Sequence, residues 1–159
     1  MSGALDPEAP PAPAWAWQAL RTARVARLAT ASAAGEPHVV PVCFVLDGGA
    51  LWTSIDGKPK TTRALRRVRN LAENARACLL VDHYEEDWRE LRWVAVHGRG
   101  ELVAGDVAAA AAVAAAPVAA ALERLREKYP QYLEVEAGPE VIRLVPERIV
   151  TWSASSARA

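Results

Sequence analysis

Residues 25–55 read VARLATASAAGEPHVVPVCFVLDGGALWTSI, and this stretch decides the fold class of the chain. Three runs rich in β-branched and other apolar residues predict strands: Val25 to Ser32, Pro37 to Leu46 and Ala50 to Ile55. The turn-like Ala33-Ala34-Gly35-Glu36 separates the first two runs, and Asp47-Gly48-Gly49, a strong hairpin signal, separates the last two. Strands joined by such short turns pair antiparallel, so the stretch predicts an antiparallel sheet.

The same signals return further along the chain, with helical segments between them. Four more runs predict strands: Arg76 to Tyr84, Arg92 to Val103, Val141 to Val145 and Arg148 to Ser153. Apolar spacing predicts three helices, which are Trp15 to about Ala26, a segment capped by Thr61 or Thr62, and Asp106 to Tyr129 with a kink or break near Pro117. Gly98 and Gly100 lie inside one strand run and predict a bulge or a close backbone approach.

These elements predict a mainly β (α+β) fold. Six or seven antiparallel strands would form a small split barrel with peripheral helices, because closure removes exposed sheet edges. With 159 residues the chain is long enough for one sound core. We expect a Pro- and Ala-rich, disordered N-terminal tail over residues 1–14 and a single domain over residues 15–155.

Composition bears on the location of the protein, the state of its cysteines and metal binding. No apolar tract is long enough for a membrane span and no secretory signal is visible, so we expect a cytoplasmic protein. Cys43 and Cys78 stand far apart in apolar runs, which favours free thiols over a disulfide. The acidic residues around His83 are interpreted as a solvated loop, and no metal site is expected.

A run of positive charge stands out in a chain whose 19 basic and 19 acidic side chains otherwise balance. The run contains no acid and consists of Lys58, Lys60, Arg63, Arg66, Arg67 and Arg69. Because it sits where a Gly-Pro loop enters a helix, it predicts an anion site. A solvated helix face is the alternative. Nucleic-acid binding is disfavoured, since net charge is zero and no aromatic residues are interleaved with the cations.

Catalytic motifs of the common hydrolases are absent. There is no Gly-x-Ser-x-Gly, no Walker loop and no His-x-x-x-His pair, whereas redox chemistry needs only a bound cofactor to supply the reactivity. Of six tryptophans, Trp88 after the acidic cluster and Trp152 at the end of the last strand are candidates for lining a ligand site or an interface.

Several segments, in this order, resemble the pyridoxamine 5'-phosphate oxidase-like split-barrel flavoproteins. They are residues 26–30 (ARLAT), 35–44 (GEPHVVPVCF), 52–54 (WTS) and 69–76 (RNLAENAR), the last with Asn74-Ala75 where the family commonly has Asn-Pro. Residues 56–60 (DGKPK) and 80–88 (LVDHYEEDW) look like a subgroup regarded as probable deazaflavin (F420)-dependent oxidoreductases. Relatives with similar barrels use flavin mononucleotide (FMN) or bind haem.

The resemblance implies a homodimer with two cofactor sites at the subunit interface. It places main-chain groups of Val40, Pro41, Val42 and Cys43 along the cofactor ring, and the hydroxyls of Thr53 and Ser54 at its ribityl or phosphate portion. Lys60 comes first among the phosphate-binding candidates, followed by Lys58, Arg66 and Arg67, and Trp152 would approach from the second subunit.

The expected activity is hydride transfer between reduced F420 and a small unsaturated organic substrate. No side chain is assigned as catalytic, because direct hydride delivery requires none. The long anionic tail of F420 suits an extended basic groove better than a compact monophosphate pocket would. Two alternatives stay open: an FMN-binding oxidoreductase, and a cofactor-binding or dimerisation module without enzymatic activity.

Overall fold

A computed structural model describes residues 9–56, 65–104, 112–134 and 137–155 of the chain. Its seven strands are β1 (Ala26–Ala31), β2 (Pro37–Val42), β3 (Val45–Asp47), β4 (Ala50–Asp56), β5 (Arg76–His83), β6 (Arg92–Ala104) and β7 (Ala137–Ser153). Its α-helices are α1 (Ala14–Thr22), α2 (Arg66–Glu73) and α3 (Ala112–Lys128). Short 3-10 turns cover Trp88–Glu90 and Pro130–Leu133.

The strands form one antiparallel sheet in the order β2-β1-β5-β6-β7-β4-β3. The two edge strands, β2 and β3, are separated in sequence only by Cys43 and Phe44. Three Cα steps reach at most about 11 Å, so the sheet curls until its edges approach each other. The result is a barrel with an unpaired split between β2 and β3, and the predicted mainly β split barrel with helices outside it is confirmed.

Two strand boundaries differ from the expectation. The run predicted as one strand over Pro37 to Leu46 is two strands, because the chain leaves β2 at Cys43 and joins the other edge of the sheet as β3. The two strands predicted near the C-terminus are one strand, β7. Its register against β6 shifts between His97 and Gly98, and this irregularity accommodates Pro146 within the strand.

Gly98 confirms the predicted close backbone approach. A Cβ at this position would stand 2.0 Å from the Val145 carbonyl oxygen, far inside contact distance. At Gly100 a Cβ would stand 2.7 Å from the Leu71 Cδ2, the end of a movable side chain. Both glycines therefore allow other parts of the chain to approach β6, and at Gly98 the neighbour is backbone that has little room to move.

The helices divide the core into two clusters. In the first cluster, Ala16, Trp17 and Leu20 of α1 pack against the side chains that the strands direct into the barrel. On the other side of β3 and β4, α3 buries Val118, Ala121 and Leu125 in a second cluster. Strand β4 lies between the two clusters, and its residues 50–55 are all buried. Burial of both faces explains why this strand reads as a continuous apolar run rather than an alternating one.

The helix boundaries bear on two expectations. Helix α3 is continuous from Ala112 to Lys128 with Pro117 inside it, so of the predicted kink or break the break is excluded. Packing of Val118, Ala121 and Leu125 against β3 and β4 offsets the hydrogen bond that proline lacks. Helix α2 begins at Arg66, and Leu65 is its N-cap residue. The expected cap residues, Thr61 and Thr62, lie outside the described residues. None of the helices in the described ranges has the length and apolarity to cross a bilayer.

Candidate functional site

Strand β2 presents an open backbone edge at the split. Among the described strands it pairs only with β1, and Pro37 and Pro41 lack an N–H. Alternate residues of a paired strand direct their backbone groups toward the neighbouring strand. If residues 38, 40 and 42 bond to β1, the two prolines do not interrupt the ladder. Residues 37, 39 and 41 then direct their backbone groups away from β1, and the Val39 N–H faces outward. The Val39 side chain is 62% exposed. Donor and acceptor groups of the main chain are thus available along the strand where the resemblance places a cofactor ring.

The four residues expected along the ring lie in two settings. Val40 and Val42 on β2 point inward and pack with the barrel core, while Pro41 between them is exposed. Cys43 lies after the strand, in the two-residue link to β3, and is half-buried against the α3 cluster. Its thiol and that of Cys78 are both free.

Two side chains from a distant part of the chain, those of Tyr129 and Lys128, hold this link. The Phe44 N–H donates to the Tyr129 Oη at 3.1 Å, and the Tyr129 hydroxyl lies 3.0 Å from both the Phe44 and the Arg24 carbonyl oxygens. The Lys128 Nζ donates to the same Phe44 oxygen at 3.0 Å. Sequence analysis assigned Tyr129 only to an apolar stripe, since nothing local indicates a partner 85 residues away.

Burial perturbs both side chains of this group. It raises the pKa of Tyr129, against the lowering effect of the hydrogen bond with the Phe44 backbone. Burial, followed by the nearby Arg24 charge, lowers the pKa of Lys128 to about 8. Because the end of β2 is fixed here, these contacts position the strand that the candidate site uses.

Thr53 and Ser54 are buried on β4 but point to opposite faces. Thr53 shares the barrel face with Leu51 and Ile55, whereas Ser54 shares the α3 side with Trp52. The Ser54 hydroxyl lies 3.5 Å from the Ile55 carbonyl oxygen. The structure therefore does not bring the two hydroxyls to one side of the strand.

The cationic residues of α2 meet the beginning of β2. Arg66, the first helical residue, forms an ion pair with Glu36, which immediately precedes β2. Arg67 is half-buried on the same turn. A buried hydrogen bond of 3.0 Å from the Asn70 amide to the Thr30 hydroxyl fixes α2 against β1. Lys58 and Lys60 lie outside the described residues.

His38 is a further candidate that sequence analysis did not select. Its Nδ1 is buried and has no hydrogen-bond partner in the described part of the chain. The imidazole follows Glu36 and Pro37 on β2, opposite Thr30 on β1. The alternation in residues 37–42 (PHVVPV) was the available signal, since it places His38 on the inward face with Val40 and Val42.

The two candidate tryptophans lie away from Arg66. Trp88 is 69% exposed in a 3-10 turn, and Trp152 on β7 is 39% exposed and pairs with Trp93 on β6. Strand register places the Trp93–Trp152 pair level with the end of β2, whereas Arg66 meets the start of β2. Among the described candidates, Arg66 and Trp152 therefore lie at opposite ends of the sheet.

The outer face of β1, β5, β6 and β7 belongs to neither core cluster and mixes apolar and charged side chains. Its apolar members are Ala29, Leu80, Trp93, Ala95, Val150 and Trp152, and its polar members include His97, Arg148 and the Arg27–Asp82 ion pair. In the acidic loop that follows, the His83 Nε2 lies 3.6 Å from the Glu85 carboxylate. Over the described ranges, no three His, Cys, Asp or Glu side chains come together as metal ligands do.

Comparison with known proteins gives concordant results. Residues 16–153 match the family model for pyridoxamine 5'-phosphate oxidase. The 5a,11a-dehydrotetracycline/5a,11a-dehydrooxytetracycline reductase of Streptomyces rimosus subsp. rimosus is 34% identical over 135 residues, which cover 84% of this chain and 77% of the reductase.

Two solved structures share the fold at low sequence identity. An FAD-binding protein from Mesorhizobium loti has TM-score 0.66 and 20% identity, with 89% of this chain and 94% of that chain covered. The haem storage protein HutZ from Vibrio cholerae has TM-score 0.61 and 17% identity, with coverages of 82% and 85%. At these identities the structures establish a common architecture alone.

Proposed function

Because the chain belongs to the pyridoxamine 5'-phosphate oxidase family, we propose that it is an oxidoreductase that reduces a small unsaturated organic molecule with a bound flavin-type cofactor. The observation that carries the proposal is the 34% identity to a reductase across 84% of this chain. The open edge of β2 and the cations beside its first residue supply the two features that such a cofactor needs, which are backbone partners for a polar ring and positive charge for an anionic tail.

F420 is the first candidate for the cofactor and FMN is the alternative. The basic run from Lys58 to Arg69 has no acid within it and extends over twelve residues, which suits a tail with a phosphodiester and several carboxylates. In favour of a flavin, a protein of the same fold is described as FAD-binding. The bound ring, of either kind, supplies the hydride chemistry.

The protein's own residues would bind, orient and shield the ring. Backbone groups of β2, including the outward N–H of Val39, would hydrogen-bond its polar edge. The His38 Nδ1, which lacks a hydrogen-bond partner in the described part of the chain, would be a further contact for a ligand at the start of this strand. Arg66, with Arg67 and the lysines of the preceding loop, would hold the tail, and the apolar surroundings of Val40 and Val42 would exclude water.

We infer that the functional unit is a homodimer. The outer face of β1, β5, β6 and β7, where Leu80, Ala95, Val150 and Trp152 lie beside the Arg27–Asp82 ion pair, is the surface that a second copy would cover. The family resemblance assigns Trp152 to the cofactor of the second subunit, so its expected role needs the partner's copy. Sedimentation or light scattering of the purified chain tests this inference, and a Trp152→Ala variant that stays fully dimeric but binds cofactor more weakly would support the shared site.

Titration of the purified protein with F420 and, separately, with FMN tests the cofactor assignment. Ligand fluorescence reports affinity, and thermal unfolding reports stabilisation, which grows with ligand excess over Kd. Stronger stabilisation by F420 supports the first candidate. Preferential stabilisation by FMN rejects it, and no stabilisation by either cofactor favours the module without enzymatic activity.

Charge variants test the tail site. Lys60→Ala and Arg66→Ala should each weaken cofactor binding by roughly 1–3 kcal/mol, the usual contribution of a charged hydrogen bond. Glu36→Gln releases Arg66 from its ion pair and should leave affinity unchanged or increase it. Arg126→Ala, which removes an exposed cation on α3, is the matched control for net charge. Unchanged affinity in both Lys60→Ala and Arg66→Ala would place the tail elsewhere.

A further inference from the structure

A cavity lies beside the link from β2 to β3, between α1, β3 and α3. This cleft has a volume of about 310 Å³, at the lower end of the range for small-molecule sites. Its lining residues are Arg21, Val45, Leu46, Arg124, Glu127 and Lys128. Strand β3 thus forms one side of the cleft, and charged side chains of α1 and α3 form the others.

The positive charges of the cleft are only partly balanced. The Arg124 guanidinium lies 3.0 Å from Glu127 and 3.7 Å from Asp47, so its charge is satisfied. Arg21 and Lys128, in contrast, take part in none of the ion pairs formed within the described residues. Arg24 adds a third cation nearby, with its guanidinium 4.7 Å from the centre of the Tyr129 ring.

Lys128 is held at the inner end of the cleft without a counter-ion. Its Nζ donates to the Phe44 carbonyl oxygen and lies 4.3 Å from the centre of the Phe44 ring. Burial and the Arg24 charge disfavour its protonated form, which lowers the pKa of the amine. A carboxylate beside Lys128 would supply the missing negative charge and restore the protonated form.

We propose that this cleft is a second binding site, which takes a small organic monocarboxylate. Its carboxylate would pair with Arg21 and Lys128, and its apolar body would lie on Val45 and Leu46. Glu127 in the same lining disfavours dianions such as phosphate monoesters, because a second negative charge would approach a fixed carboxylate. The inference does not depend on the proposed function.

Benzoate is a suitable probe, with benzamide as a neutral molecule of nearly the same shape and inorganic phosphate as a small anion without an apolar body. Binding is followed by thermal stabilisation and by ligand-observed NMR on the full chain. We expect benzoate to bind, and benzamide and phosphate to bind at least fivefold more weakly. Equal binding of benzoate and benzamide would overturn the proposal, and tighter binding of phosphate would overturn the carboxylate assignment.

Variants then locate the probe. Arg21→Gln and Lys128→Met should each reduce benzoate affinity at least fivefold, while Arg126→Gln, on the same helix as Lys128 but outside the lining, should not. Arg21 is exposed in the last turn of α1, so its variant keeps the test available if Lys128→Met folds poorly. Full benzoate affinity in Arg21→Gln would contradict the proposal. Benzoate binding that survives in Arg66→Ala would separate this site from the cofactor tail site.

Discussion

Removal of the Tyr129 hydroxyl should destabilise the fold without disturbing its apolar packing. In the wild-type protein this hydroxyl accepts the Phe44 N–H at 3.1 Å and lies 3.0 Å from the Phe44 and Arg24 carbonyl oxygens. Tyr129→Phe keeps the ring, which is buried with the α3 cluster. The Phe44 oxygen retains the Lys128 amine as a donor, but the buried Phe44 N–H loses the partner shown for it.

The size of the effect follows from that unpaired donor. Leaving a buried N–H unsatisfied costs about 1–3 kcal/mol, and the lost bonds of the hydroxyl place the total near 2–3 kcal/mol. For a domain of this length each kcal/mol lowers Tm by roughly 2–4 °C, so Tm should fall by about 4–12 °C. The denaturant m-value should stay unchanged, because the buried apolar surface is conserved.

Thermal and urea unfolding of Tyr129→Phe, with Tyr84→Phe as control, measure this prediction. Tyr84 is 73% exposed, so removal of the same atom there should change stability by less than about 0.5 kcal/mol. Amide exchange at Phe44 gives a local readout and should accelerate only in the Tyr129 variant. A Tm of Tyr129→Phe within about 2 °C of wild type would refute the reasoning, since one unsatisfied donor already costs that much.

Three further predictions concern other parts of the fold. Gly98→Ala places a Cβ 2.0 Å from the Val145 carbonyl oxygen, so thermal unfolding should show a loss of more than about 3 kcal/mol or failure to fold. The pKa of Lys128 is lowered from 10.5 to about 8, so between pH 8 and 10.5 the unfolded chain binds more protons than the folded chain. In that pH range the stability of the wild type should therefore rise with pH relative to that of Lys128→Met. Asn70→Ala removes the amide that donates to the buried Thr30 hydroxyl and should cost roughly 1–3 kcal/mol in urea unfolding.

Controls and opposing outcomes distinguish these three predictions from nonspecific destabilisation. Gly100→Ala should be milder than the Gly98 variant, because its Cβ meets the movable Leu71 side chain rather than backbone; the reverse order would contradict the account of Gly98. Parallel pH profiles for wild type and Lys128→Met would show that the amine titrates normally in the fold. A stability of Asn70→Ala equal to wild type would mean that the buried hydrogen bond contributes nothing.

The turn signals in residues 25–55 were read correctly because they are local. The Asp47-Gly48-Gly49 turn uses positive φ at both glycines, 54° and 72°, which few other residues adopt, so the hairpin between β3 and β4 is visible in the sequence. Gly98 was also recognisable, as a residue without a side chain inside a strand run. Neither inference needed knowledge of distant residues.

The candidate site was predictable only in part. The sequence indicates that β2 and the basic segment belong to it, but not that Arg66 pairs with Glu36, 30 residues earlier, or that the His38 nitrogen is left buried. Thr53 and Ser54 are adjacent in a strand buried on both faces, so alternation alone did not show which face lines the barrel. Such choices depend on which elements pack on each side of the strand.

The sequence by itself determined an antiparallel, mainly β chain with a cationic helix start, because turn conformation and side-chain alternation are set by neighbouring residues. Only the tertiary structure decided that the Val-rich run after Pro37 divides between the two edges of one sheet. That division depends on Tyr129 and Lys128, which bind Phe44 across 85 and 84 residues of sequence. A hydrogen bond between such distant groups forms only after the barrel has brought them together, and no local pattern in the chain encodes it.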